Sequence, residues 1–239
     1  MAKKPIRVRD KIEVIYTEER WKLLKELREK ALRIMELLAR YNIQTIAHGS
    51  IARGDVTPQS DIDIVIPQTV SPFQVESVLH SAGFDFYSRQ IVQATPWHSL
   101  KAHICLDEKT VVTFPLVKLR EREWEFYKFG GLVTINELRN NIRVPGVDKR
   151  LILIEPTVKG HIESSIIDRE SEVAKILGVS VDIIEERINV LLRRDKIGRT
   201  GVYLKRELSP HETFGEVLKK VADRDPIVRR RILEDEGVK

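Results

Sequence analysis

The stretch Ala47–Ile66, AHGSIARGDVTPQSDIDIVI, constrains this chain more than any other. Ile43–Ala47 alternates apolar and polar residues towards Gly49, which predicts a short strand ending where a glycine allows close approach of backbone to phosphate. Ser50 then opens a short helix. The amides at its start, with the Ser50 hydroxyl and the Arg53 guanidinium, form a plausible cradle for a triphosphate. Asp61 and Asp63 follow. Side chains two apart on a strand share a face, so these carboxylates stand side by side while Ile62, Ile64 and Ile66 enter the core. Adjacent like charges need a cation, and Mg²⁺, a hard ion that takes carboxylates and leaves positions for phosphate oxygens, is the expected occupant. The plainer reading, two exposed strand aspartates and an ordinary glycine turn, does not account for Gly-Ser, Arg, Gly and Asp-x-Asp arriving together in this order and spacing.

The pattern of a small residue, Gly49-Ser50, Ala52-Arg53-Gly54, a spacer and Ser60-Asp61-Ile62-Asp63 resembles the signature of the DNA polymerase beta-like nucleotidyltransferase superfamily. Its archaeal CCA-adding enzymes and minimal nucleotidyltransferases look most similar. The resemblance covers Ile43–Ile66 closely and continues more loosely to Val117. It implies an α+β fold with a mixed sheet, catalytic and metal-binding roles for Asp61 and Asp63, nucleotide binding by Gly49, Ser50 and Arg53, and Mg²⁺ as cofactor. Active members usually carry a third carboxylate on a later strand, two or three residues before a proline. Here that strand reads Thr110-Val111-Val112-Thr113-Phe114-Pro115, so the counterpart is Val112 or, in a slipped register, Thr113. The nearest acids, Asp107 and Glu108, belong to a turn.

With 239 residues, 42% hydrophobic and 32% charged, the chain can form one sizeable domain or two smaller ones and has no apolar run that would span a membrane. The basic N-terminus has no apolar segment behind it, so no secretory signal is expected. Cys105 is the single cysteine and reads as a small buried hydrophobe. A reducing cytoplasm fits. The net charge of +5 is modest and does not mark a strongly basic nucleic-acid binder. Abundant Glu, Lys, Arg and Ile with few aromatics resembles thermophile usage.

Along the chain, Lys11–Tyr16 reads as a strand, and Thr17 as the N-cap of a helix to about Arg40 that buries Trp21, Leu24, Leu27, Ala31, Ile34 and Leu38. A helix follows Ser71-Pro72, closing at Gly83. Strands are expected at Phe84–Val92, Leu100–Leu106 and Thr110–Val117, then a helix over Lys118–Lys128 and another within Leu132–Asn141. The basic turn Arg143–Arg150 is within reach of a phosphate in one reading and simply solvated in the other. A strand is expected at Leu151–Ile154.

The last third changes style. Asp168 is expected to cap a helix, Gly178-Val179-Ser180 to turn, and Val181–Arg194 to form a second helix, with Lys196–Leu204 as the wing of a mainly helical winged helix-turn-helix domain. Two domains are therefore expected, residues 1–155 and 156–239. Asp182, Glu185 and Glu186 give the would-be recognition helix the wrong sign for DNA, so weak or no binding to generic duplex DNA is expected. The functional reading is transfer of a nucleotidyl group from a nucleoside triphosphate to a hydroxyl on RNA, protein or a small molecule. The alternative is a catalytically silent nucleotide-binding regulator or adaptor whose winged helix contacts nucleic acid or a protein partner. An oligomer is compatible with either.

Overall fold

The computed structural model describes residues 10–198, 201–235 and 237. In chain order the elements are β1 (Ile12–Ile15), α1 (Glu18–Ala39), β2 (Ile46–His48), α2 (Ser50–Arg53), β3 (Ile62–Val65), α3 (Pro72–Ser81), β4 (Ser88–Gln93), β5 (Lys101–Cys105) and β6 (Thr110–Pro115). There follow α4 (Glu121–Gly130), β7 (Leu132–Thr134), α5 (Ile135–Arg139), β8 (Gly146–Val147), β9 (Ile152–Thr157), β10 (Gly160–Ser165), α6 (Glu170–Leu177), α7 (Val181–Ile197), β11 (Leu204–Glu207), α8 (Phe214–Arg224) and α9 (Pro226–Asp235). The α+β class is as expected.

Two compact units emerge, each assembled from separate segments. The first takes Met1–Leu32, Ala47–Ile62 and Glu121–Thr200, and the second takes Arg33–Ile46, Asp63–Arg120 and Gly201–Lys239. The break expected between residues 155 and 156 falls inside β9, where Pro156 sits opposite His161 of β10. Pro156 occupies a strand position whose partner is supplied by the β9–β10 hairpin.

In the first unit, β1, β10, β9 and β8 form an antiparallel sheet in that order. Its core joins Val147, Leu151, Leu153 and Ile166 to Val173 and Ala174 of α6 and to Ile183, Ile184 and Ile188 of α7. The helix pair anticipated by the apolar spacing thus forms, with the Ser180 hydroxyl capping α7 at the Ile183 amide. Asp168 is not the cap of α6. Arg169 holds that position and Asp168 takes a left-handed backbone, φ 63°. Part of the expected wing, Arg199 and Thr200, lies outside the described residues. The strand that follows it, β11, pairs with β4 of the second unit and so does not serve as one arm of a wing hairpin.

The basic turn is structural. The Arg143 guanidinium donates to the Gly160 carbonyl at 2.8 Å and to that of Thr157, and lies 4.8 Å from the Trp21 ring. Arg150 joins Asp148 and Glu163, each at 2.6 Å. Glu163 also meets His161, whose other ring nitrogen is 2.6 Å from the Tyr16 hydroxyl. This run of charge and hydrogen bonds satisfies polar groups that would otherwise be costly to bury.

In the second unit the strand order is β11, β4, β5, β6, β3. Helices cover one face. Phe214 of α8 meets Phe114 edge-on at 5.8 Å, and Glu76 of α3 pairs with Arg89 at 2.6 Å. Arg89 sits opposite Ile104, and Phe114 opposite Ala102, so Ala102, Ile104, Val112 and Phe114 belong to that covered face. The other face is polar. There the registers align Glu207, Gln90, His103 and Thr113 in one row across four strands, with Lys205, Val92 and Lys101 in the next. Cys105 belongs to this second face and is only half-buried, because strand alternation sets it opposite Ile104.

Candidate nucleotide and metal site

Gly49 ends β2 with φ 80° and ψ −138°, a conformation that side chains rarely tolerate, and this reverses the chain into α2. Its amide donates to the Gly131 carbonyl at 2.9 Å, and its own carbonyl accepts from the Ala52 and Arg53 amides at 3.0 and 3.1 Å. Three of the amides around this turn are therefore already bonded within the fold. The cradle is narrower than the sequence suggests and rests mainly on the half-buried Ser50.

Arg53 is placed differently from the expectation. It is 6% exposed, and its guanidinium pairs with Asp55 through Nε at 3.0 Å and Nη2 at 3.0 Å, while Nη1 donates to the Gly130 carbonyl. Its charge is thus neutralised within the loop. Arg53 braces the turn from beneath, together with Arg28, which donates to the carbonyls of Ile51 and Ile142. Burial pushes the Arg28 guanidinium down to about 10, with Arg143 adding to the effect. Gly54 closes α2 at φ 97°, where an added Cβ would lie 2.5 Å from the Arg143 side chain. Sequence reasoning missed Asp55, although an acid two residues after Arg53 in the same tight loop was the available signal.

Asp61 immediately precedes β3 and is exposed; Asp63 lies within the strand and is half-buried. Ile62, Ile64 and Ile66 are fully buried, so the alternation read from the sequence holds from Asp61 to Ile64, beyond which Val65 is buried as well. The two carboxylates offer hard oxygen donors of the kind Mg²⁺ takes. Among the described residues no group of three or more His, Cys, Asp or Glu is placed to hold a metal ion.

The structure also separates the two candidates for the third position. Val112 is fully buried opposite Ile104, on the helix-covered face. Thr113 lies on the opposite face, directly across from His103, with Oγ1 2.9 Å from Nδ1. The Ile66 amide donates to the Thr113 carbonyl at 2.9 Å, which ties β6 to the end of β3. Burial, with Lys101 and Lys205 nearby, pushes His103 down to about 4, so the ring is neutral at physiological pH.

The mixed α+β architecture, with a glycine turn leading into a short helix and an Asp-x-Asp stretch at the start of a strand, is consistent with a nucleotidyltransferase fold. A family model described as "Nucleotidyltransferase domain" matches residues 15–109, under half of the chain, and supports placing this segment in the nucleotidyltransferase superfamily. No curated protein and no solved structure matches the chain. No helix among the described residues is long and apolar enough to cross a membrane.

Proposed function

We propose that the chain binds a nucleoside triphosphate with Mg²⁺ and transfers its nucleotidyl group to a hydroxyl on RNA, a protein or a small molecule, in a cytoplasmic setting. The observation that carries this reading is that the Gly49 turn and the Asp61-Ile62-Asp63 stretch follow one another in sequence inside the segment matched by the nucleotidyltransferase family. In this reading Ser50 grips the terminal phosphates and Gly49 lets the backbone approach them. Arg53 keeps the turn in shape through Asp55 and does not itself meet the ligand. Asp61 and Asp63 would hold the Mg²⁺, which supplies charge neutralisation at the phosphates when bound.

A second reading is a nucleotide-binding protein without turnover. It is favoured by Thr113, which occupies the polar-face position nearest to that of the expected third acid and carries no charge. Both readings share a ligand, so calorimetry comes first. Mg²⁺-dependent binding of a nucleoside triphosphate is expected, and it should be lost when Asp61 and Asp63 both become Asn. Equal affinity in EDTA and in Mg²⁺ would sink the site assignment. Pyrophosphate release then separates transfer from binding alone.

A further inference from the structure

A turn that seats phosphates needs positive charge beside it, and Arg53 does not supply this, because Asp55 already neutralises its guanidinium. Another cation stands close by. The C-terminal end of α4 is bonded to the turn: the Gly131 carbonyl accepts from the Gly49 amide at 2.9 Å and lies 3.1 Å from His48 Nδ1, and a Cβ on Gly130 would strike the His48 ring. One helical turn back, the Phe126 ring lies 5.6 Å from that of His48, so the side of α4 bearing Phe126 and Gly130 faces the turn. Arg187 of α7 rests on Phe126, its guanidinium carbon 5.0 Å from the ring centre. All of these residues belong to the first compact unit.

In that unit Arg28, Arg53, Arg143 and Arg150 each donate to a carbonyl or a carboxylate. Arg187 does not. It is half-buried, its Nε is shielded from water without a partner, and among the described residues it makes no hydrogen bond and no ion pair. Burial holds its guanidinium below the ordinary value; Arg194 adds to this, and Glu186, which pairs with Arg122 at 3.6 Å, opposes it. A cation withdrawn from water without a partner is costly, and a bound anion removes that cost. Stacking on an aromatic face fixes the plane of the guanidinium and leaves its N–H edges to a ligand with paired oxygens.

Resting on the nucleotide-binding reading above, we propose that Arg187, held flat by Phe126, binds the terminal phosphates of the triphosphate and takes the part expected of Arg53 from the sequence. Its fork meets two phosphate oxygens, and Arg194 on the same helix adds positive charge behind it. The His48 and Phe126 rings join it to the turn, so it serves the phosphate chain and leaves the nucleoside to other groups.

The test is calorimetry on the full chain with Mg²⁺ and each of ATP, GTP, CTP and UTP, repeated with the matching monophosphates, with inorganic pyrophosphate and with a short single-stranded oligoribonucleotide. Arg187→Met keeps an unbranched apolar stem against Phe126 and removes the fork. It is expected to weaken triphosphate and pyrophosphate binding about tenfold to a hundredfold, the range for losing charge-assisted hydrogen bonds, with monophosphate affinity unchanged. Arg187→Lys should recover only part of the loss, since an ammonium has no fork. Without ligand, Arg187→Met should melt no lower than the unaltered chain, because no partner is stranded. Unchanged triphosphate affinity in Arg187→Met, with binding still abolished when Asp61 and Asp63 both become Asn, would overturn the proposal and leave the nucleotide reading in place. An equal loss for triphosphate and monophosphate overturns it too, as does a loss confined to the oligoribonucleotide, which would assign the guanidinium to a nucleic-acid strand. Failure of the unaltered chain to bind any triphosphate removes the nucleotide reading and the proposal together.

Discussion

Arg53 and Asp55 face each other across Gly54, with Nε and Nη2 of the guanidinium each 3.0 Å from the carboxylate. Both side chains are almost wholly withdrawn from water, at 7% and 8% exposure. Removing one partner strands a buried charge, a loss of about 3–5 kcal/mol. Asp55→Ala should therefore unfold at markedly lower urea concentration than the unaltered protein. Arg53→Lys should also be destabilised, because an ammonium cannot span Asp55 and the Gly130 carbonyl in the same fork geometry. Wild-type stability in both variants would show that the pair does not brace the turn.

Gly146 approaches the backbone of Gly130 and Gly131 so closely that a Cβ would lie 2.6 Å from the Gly131 nitrogen. Backbone cannot swing aside as a flexible side chain does. Gly146→Ala should cost about 1–3 kcal/mol, in the range for overpacking. Gly215, on α8, has open space where its Cβ would be, so Gly215→Ala should stabilise by about 0.5–1 kcal/mol through helix propensity. Chemical denaturation of the two variants should move in opposite directions.

Glu163 gives the protein an acid limit. Its hydrogen bond to His161, with that of Arg150, holds the carboxyl down to about 2 against an ordinary value of 4.5, outweighing burial. A carboxyl depressed in the folded state contributes stability that is complete above its unfolded value and is lost as pH falls through the folded one. Thermal melts should show this contribution fading between about pH 4.5 and pH 2. Glu163→Gln should flatten the dependence in that window, and an unchanged slope would count against the network.

The start of α7 is engaged by α4. Arg122 lies 2.8 Å from Asp182 and 3.6 Å from Glu186, Glu125 accepts from the Ser180 amide and hydroxyl at 2.7 Å, and the Arg187 guanidinium lies 5.0 Å from the Phe126 ring centre. A helix whose N-terminal turn is acidic and occupied in this way offers little to DNA phosphates. Fluorescence anisotropy with generic duplex DNA should detect weak binding at most. Submicromolar affinity that falls steeply with added salt would refute this.

Much of the fold was legible in the order of residues alone. The spacing of Trp21, Leu24, Leu27, Ala31, Ile34 and Leu38 announces a helix that buries one side, and Leu24, Ala31, Ile34 and Leu38 are buried while Trp21 and Leu27 are half-buried. The alternation of Asp61 and Asp63 with Ile62 and Ile64 separates the aspartates from the core side of the strand, because a strand has a period of two, although Val65 is buried as well. The glycine turn before Ser50 was equally readable, since few other residues adopt the backbone found there.

Tertiary structure decided what local pattern cannot carry. Arg53 follows a phosphate-binding signature, yet its charge is consumed by Asp55 and a carbonyl 77 residues away. The strand expected at Leu151–Ile154 forms as the first half of β9, but its continuation through Pro156 and its pairing with β10 were not legible, and β11 pairs with β4, because strand partners are chosen by the whole sheet. Whether Val112 or Thr113 faced the polar side hung on a register of one residue, which pairing with Ile104 and His103 fixed. Sequence thus specified the chemistry of each position along the chain, and the sheet specified which of those chemistries meet.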